Sequence, residues 1–182
     1  MKTSTQLRFY KAFGYIKTPP REVVFSPQNP PPRKLLFLFP LQKESLLESR
    51  YVIQRLERYL HHGTIYLAIA SIFRDLISCP PSSAFYFPVL TGDPLRIRMD
   101  VMLARFRGQD FDAVFNLDPE LNFQLARVMS AVNTSRRVGI AGPHADELYN
   151  IQIHLAPDRR LKKAYAQMLK ICDLDPPKEP GT

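Results

Sequence analysis

The chain has 182 residues, 45% of them hydrophobic, enough for one substantial core. Its longest apolar run, Leu35-Leu36-Phe37-Leu38-Phe39-Pro40-Leu41, falls far short of the ~20 residues of a spanning helix, and its two cysteines, Cys79 and Cys172, cannot form a disulfide scaffold. The net charge of +8 is uneven, because residues 1–34 hold seven bases against one acid, Glu22.

A membrane span and a disulfide-rich secreted fold are thereby set aside. With no leader peptide recognised, ordinary thiols in a reducing, cytoplasmic compartment are expected, and a disulfide is the minority reading. Residues 1–33 hold six prolines, including Pro19-Pro20 and Pro30-Pro31-Pro32, and read as an extended basic arm outside the core. Within it, Leu7–Phe13 suits a short helix, docked or free.

The folded domain is expected to span residues 34–174, with 175–182 (DPPKEPGT) as a frayed tail. Lys34–Phe39 reads as a buried strand, followed by a capping box, Ser45-Leu46-Leu47-Glu48, that opens a helix with Leu46, Ile53, Leu56 and Leu60 on one face. Gly63 would close it. Thr64–Ala70 is a second strand, Ser71–Ile77 a short helix ended by Pro80-Pro81, Ala84–Val89 a third strand and Leu90–Asp93 a turn. Arg98–Arg107 predicts a helix with Val101, Met102 and Phe106 inward.

The most telling stretch is Phe111–Ile140. Phe111–Leu117 is a short apolar run typical of a strand covered on both faces of a parallel sheet. Asp118-Pro119-Glu120 supplies a cap acceptor, a proline for the first helical position and an acid at the positive helix end. Leu121, Leu125, Val128 and Val132 recur at helical spacing before the strand Arg137–Ala141. Tyr149–His154 is a sixth strand candidate, and Asp158 caps a last helix carrying Leu161, Tyr165, Met168 and Cys172. Strands alternating with helices predict a Rossmann-like, three-layer α/β domain with a five- or six-stranded, mostly parallel sheet.

Ligands of such sheets bind beyond the strand carboxyl ends, which singles out residues 40–45, 70–71, 90–93, 118–119 and 141–144. These loops contain no G-x-G-x-x-G and no P-loop, so no dinucleotide or other cofactor is expected. His61-His62 has no Cys, Asp or Glu at ligand spacing and reads as a helix-end cap, so no metal is expected. His144, beside Asp146 and Glu147 at a strand end, could act as a general acid or base, though a surface turn is the plainer reading. Asp118 sits at a strand end and is first of all a helix cap. His154 reads as a solvent-facing strand residue, and Tyr165 and Met168 as packing.

The succession Lys34–Phe39, helix, TIYLAIAS, then FDAVFNLD, helix and RRVGI resembles the N-terminal half of family 9 glycosyltransferases, the ADP-heptose:lipopolysaccharide heptosyltransferase type. In that family a "DLVIDLQ"-like strand precedes a helix and a short "RIG" strand, a pattern matched here by Phe111–Asp118 and Arg137–Ile140 over a likeness covering roughly residues 34–172. The resemblance implies a bacterial protein with half of a GT-B fold. The family's Gly-Asp pair after the first strand, whose Asp is the presumed base toward the acceptor sugar, is replaced by Glu44-Ser45. The family's nucleotide-sugar domain is not expected within these residues.

These features lead to an expected non-catalytic interaction module on a degenerate glycosyltransferase-like domain. It would bind a protein partner through Arg8, Lys11, Lys17, Arg21 and Arg33 and one face of the domain. An active or two-component glycosyltransferase using Glu44, Asp118 and His144 is the first alternative. A nucleic-acid or ribosome-associated protein is the second, weakened because a basic arm alone gives only sequence-independent phosphate contact. Peripheral contact with a membrane is compatible with the same charge, and a merely solubilising leader is the bland reading of the arm.

Overall fold

The computed structural model describes residues 3–19, 33–57, 59–60, 64–92, 94–156 and 160–172. Six strands form one sheet: β1 (Leu35–Leu38), β2 (Ile65–Ala70), β3 (Ala84–Phe87), β6 (Ala113–Asn116), β7 (Arg137–Ile140) and β8 (Ile151–Ile153), in the order β3-β2-β1-β6-β7-β8. Every pairing is parallel, with Leu35 opposite both Ile65 and Ala113, so the sheet is wholly rather than mostly parallel. The expected strands all join it. β1 and β6 lie at its centre, where every residue is buried, and this explains their unbroken apolar runs. Phe37 and Phe115 stack across the two, ring centroids 4.6 Å apart.

The strand order doubles back at β1 and β6. Right-handed crossovers then put α2 (Lys43–Leu56) on one face and both α3 (Met99–Phe106) and α4 (Phe123–Ala131) on the other. α5 (Leu161–Lys170) returns to pack on α2, while α3 packs on α4, giving the three layers. Between β3 and α3 a small antiparallel ladder, β4 (Val89–Leu90) with β5 (Arg96–Ile97), replaces the simple turn expected there. Ser71–Leu76 is a 3₁₀ helix ahead of the prolines.

Three helix starts differ from the sequence reading. α2 begins at Lys43, ahead of the Ser45 capping box; Gln42 takes the cap position without a side-chain bond to the helix, and its carbonyl accepts from Leu46 N. α4 begins at Phe123 rather than Pro119. Asn122 is its cap, with Oδ1 accepting from Gln124 N at 3.0 Å and Leu125 N at 3.3 Å. The Asp118 carboxylate is committed to a tighter local turn, where Oδ1 accepts from Glu120 N at 3.0 Å. α3 buries Met102 and Phe106, whereas Val101 is only half-buried. Arg160 occupies the cap position of α5, and Gly63 and Asp158 lie outside the described residues.

The largest correction concerns the arm. Thr3–Ala12 forms α1, whose Leu7 is 1% exposed, and Ile16 just beyond it is 3% exposed. Both belong to the main core. Tyr10 stacks on Phe123 of α4, with centroids 5.4 Å apart, and Lys11 Nζ reaches Glu147 Oε2 at 2.7 Å. The buried guanidinium of Arg137 clasps the segment, with Nη1 donating to Lys17 O at 2.7 Å and Nη2 to Ser130 O at 3.4 Å. Residues 3–19 are therefore part of the folded body, because Leu7 and Ile16 are buried in its core and Tyr10, Lys11 and Lys17 are held by Phe123, Glu147 and Arg137.

Candidate functional site

The carboxyl ends of β6 and β7 open into a cavity of about 390 Å³, a size typical of small-ligand sites. Asp118, Pro119, Glu120 and Leu121 form one wall, and Ile140, Gly142, Pro143, His144, Ala145, Leu148 and Tyr149 the other. Thr3 of α1 completes the rim. The polar side chains are the Asp118 and Glu120 carboxyls, the Thr3 and Tyr149 hydroxyls and the His144 imidazole, and apolar surface lies between them.

The floor is a buried polar network. Asn116, the last residue of β6, donates from Nδ2 to Tyr149 Oη at 2.8 Å and accepts Asp118 N on Oδ1 at 3.1 Å. Tyr165 of α5 donates its hydroxyl to Leu117 O at 2.8 Å. The strand end and the loop after it are thus fixed from two sides. Burial pushes the Tyr149 phenol up to about 12, and the Asp118 charge adds to the shift. The phenol stays protonated, and because it accepts from Asn116 its own hydrogen is left to donate.

Asp118 is the chemically distinctive group. Burial raises its carboxyl to about 6, an effect opposed by the Glu120 N–H and reinforced by the Glu120 carboxylate. A carboxyl raised in the folded state contributes stability that is fully present below its ordinary pKa and is lost as pH rises through about 6. Asp118→Asn, which keeps an acceptor for Glu120 N, is therefore expected to stabilise the protein by about 3 kcal/mol near pH 8 and by little near pH 3.5. Urea unfolding at the two pH values checks this. A gain of equal size at both would mean that ionisation of Asp118 does not limit stability.

His144 adopts a left-handed backbone conformation, φ 66°, uncommon outside glycine, which turns the chain from β7 into a short 3₁₀ segment. Its Nδ1 lies 3.0 Å from Glu147 Oε1. The Lys11 ammonium, hydrogen-bonded to Glu147, holds that carboxyl below its ordinary range, with His144 adding to the effect. Asp146 is exposed.

Of the three catalytic candidates, the fold brings Asp118 and His144 to one cavity and leaves Glu44 out of its lining. Glu44 lies exposed on the first turn of α2, although neighbouring Gln42 donates to Glu120 Oε2 at 3.3 Å and so ties the β1 and β6 loops together. Of the basic candidates, Arg8, Lys17 and Arg33 are exposed, and Lys11 spends its charge on Glu147. Arg21 and His61-His62 lie outside the described residues. His154 is exposed, Cys79 is half-buried and Cys172 buried, and both cysteines are free thiols. Among the described residues no helix is long and apolar enough to cross a membrane.

Tyr149, Glu120 and Asn116 were not legible as site residues. One signal pointed toward Tyr149: a glycine inside a strand, Gly139, marks a close approach, and the ring that approaches it is that of Tyr149.

Neither a family model nor a curated protein sequence matches the chain. By structure it is similar to E. coli heptosyltransferase WaaC with ADP-2-deoxy-2-fluoro heptose, at TM-score 0.53 and 13% identity over 81% of this chain and 51% of that one. It is also similar to the same enzyme with ADP, at TM-score 0.50 and 13% identity over 80% and 49%. What is shared at this identity is the fold. The chain thus has a glycosyltransferase-like, Rossmann-like α/β fold and spans about half the length of the heptosyltransferase chains that it matches.

Proposed function

We propose that this chain is a non-catalytic binding module on a glycosyltransferase-like fold, and that its carboxyl-edge cavity takes a neutral, polyhydroxylated ligand of the sugar class. The observation that carries this reading is the cavity's lining, in which Asp118, Glu120 and the Tyr149 hydroxyl alternate with Leu121, Ile140 and Leu148. Carboxylates and a phenol match sugar hydroxyls, and the aliphatic groups match C–H faces. The same acids oppose a pyrophosphate, and no glycine-rich turn offers backbone N–H groups to hold one. Glu44, the residue that the family resemblance puts in the place of the base, stands outside the cavity.

The isolated chain is accordingly expected neither to bind ADP-heptose nor to hydrolyse it. Unphosphorylated hexoses and heptoses should produce saturable NMR shifts at Asp118 and Tyr149 that Tyr149→Phe weakens. Micromolar binding of ADP-heptose by calorimetry would refute this reading.

That outcome would favour an enzyme instead, alone or with a donor-binding partner. One feature supports such a reading: a buried carboxyl held at about 6 in a cleft is suited to general acid–base work near neutrality.

A further inference from the structure

We infer that the outer face of α1 is a contact surface for an anionic membrane. Leu7, buried in the core, and Tyr10, stacked on Phe123 of α4, fix the helix, which sets the orientation of the opposite face. That face presents Phe9 and Phe13, 49% and 62% exposed, one turn apart with ring centroids 4.4 Å from each other. Gly14, at φ 68°, reverses the chain so that Tyr15, 47% exposed, joins them 6.3 Å from Phe13. Three large rings in mutual contact with water are an unusual way to end a helix, and a cluster of this kind marks an interaction site.

The segment that carries the rings has charge of one sign, and the Glu147 carboxylate against it is paired with Lys11. Residues 1–21 contain five bases and no acid. Of these, Arg8 and Lys17 are exposed, and Arg127 of α4 adds its guanidinium 4.6 Å over the Tyr15 ring. Aromatic side chains flanked by arginine and lysine provide the two contributions that peripheral attachment needs, insertion of apolar surface and attraction to anionic headgroups. The rings favour a lipid surface over the protein partner expected for the arm, because they protrude from the helix and none lines the cavity described above. A fluid interface closes around projecting rings; a protein would need sockets to fit them.

Flotation of the full chain with vesicles tests this. Phosphatidylcholine vesicles containing about 30% phosphatidylglycerol should carry the protein upward, pure phosphatidylcholine should not, and about 0.5 M salt should release it. The variant Phe9→Ser/Phe13→Ser should lower partitioning at least ~10-fold, and Arg8→Glu/Lys17→Glu by a similar factor, since each basic residue near an anionic surface contributes roughly 5-fold. Both variants alter outward side chains and should keep the wild-type melting temperature; if the phenylalanine pair unfolds, the charge-reversal pair decides. Failure of the wild type to float, unaltered flotation of a folded variant, or equal binding to uncharged vesicles would overturn the inference. So would binding to polyglutamate without flotation, which would assign the surface to an acidic protein. Sugar binding in the cavity is read separately by NMR, so either result can fail alone.

Discussion

Leu7→Ala is expected to destabilise the protein by about 2–5 kcal/mol, the usual cost of emptying a fully buried leucine site. The side chain is 1% exposed and belongs to the same core as the sheet, 28 residues before β1 begins. Urea unfolding should show a lower midpoint with little change in slope. Phe9→Ala, on the outer face of the same helix, should move stability by less than about 0.5 kcal/mol. Deleting residues 1–19 should cost more than Leu7→Ala alone, because it removes Ile16, the Tyr10–Phe123 stack and the Lys11–Glu147 pair as well. It also strips Arg137 of the Lys17 carbonyl, and the buried guanidinium already has an Nε with no hydrogen-bond partner. A leucine variant as stable as the wild type would mean that α1 does not dock in solution.

Gly139→Ala should be among the most damaging single-methyl additions in the chain. A Cβ at that position in β7 would fall well inside contact distance of the Tyr149 ring carbons. A surface tyrosine could swing aside cheaply. Tyr149 is buried and hydrogen-bonded to Asn116, so it can yield only by breaking the network under the cavity. Overpacking of this kind costs about 1–3 kcal/mol, and loss of the buried Asn116–Tyr149 bond adds about 1–3 kcal/mol. The expected result is a stability loss of about 2–6 kcal/mol together with loss of sugar-induced NMR shifts. Tyr149→Phe should leave the glycine contact intact and lose only the hydrogen bond, separating packing from ligand recognition. If Gly139→Ala folds with wild-type stability and unchanged shifts, the ring does not sit on the glycine as described.

The amino-acid sequence by itself determined the sheet. Runs such as Leu35–Leu38 and Ala113–Asn116 cannot leave either face in water, so they had to become the central strands of a parallel sheet, and the helical periodicities between them specified the covering layers. The position of the site followed as far as Asp118 and His144, since both stand at strand carboxyl ends. Helix starts were less legible because several residues competed for them. Asp118, Ser45, Gln42 and Asn122 can all accept from a backbone N–H, and the choice fell to the neighbours: Glu120 N claimed Asp118, leaving Asn122 to cap α4. Only the tertiary structure decided the rest. Whether a basic, proline-rich segment is tail or core depends on what it meets, and Tyr10 meets Phe123 and Lys17 meets Ser130 and Arg137, more than a hundred residues later, while Leu7 and Ile16 join the core. Tyr149 entered the site through a contact with Gly139 and a bond to Asn116, 33 positions away, and Glu44 was left out because α2 begins early enough to turn it toward solvent. Pairings over such separations are set by burial in three dimensions, which no local pattern of residues encodes.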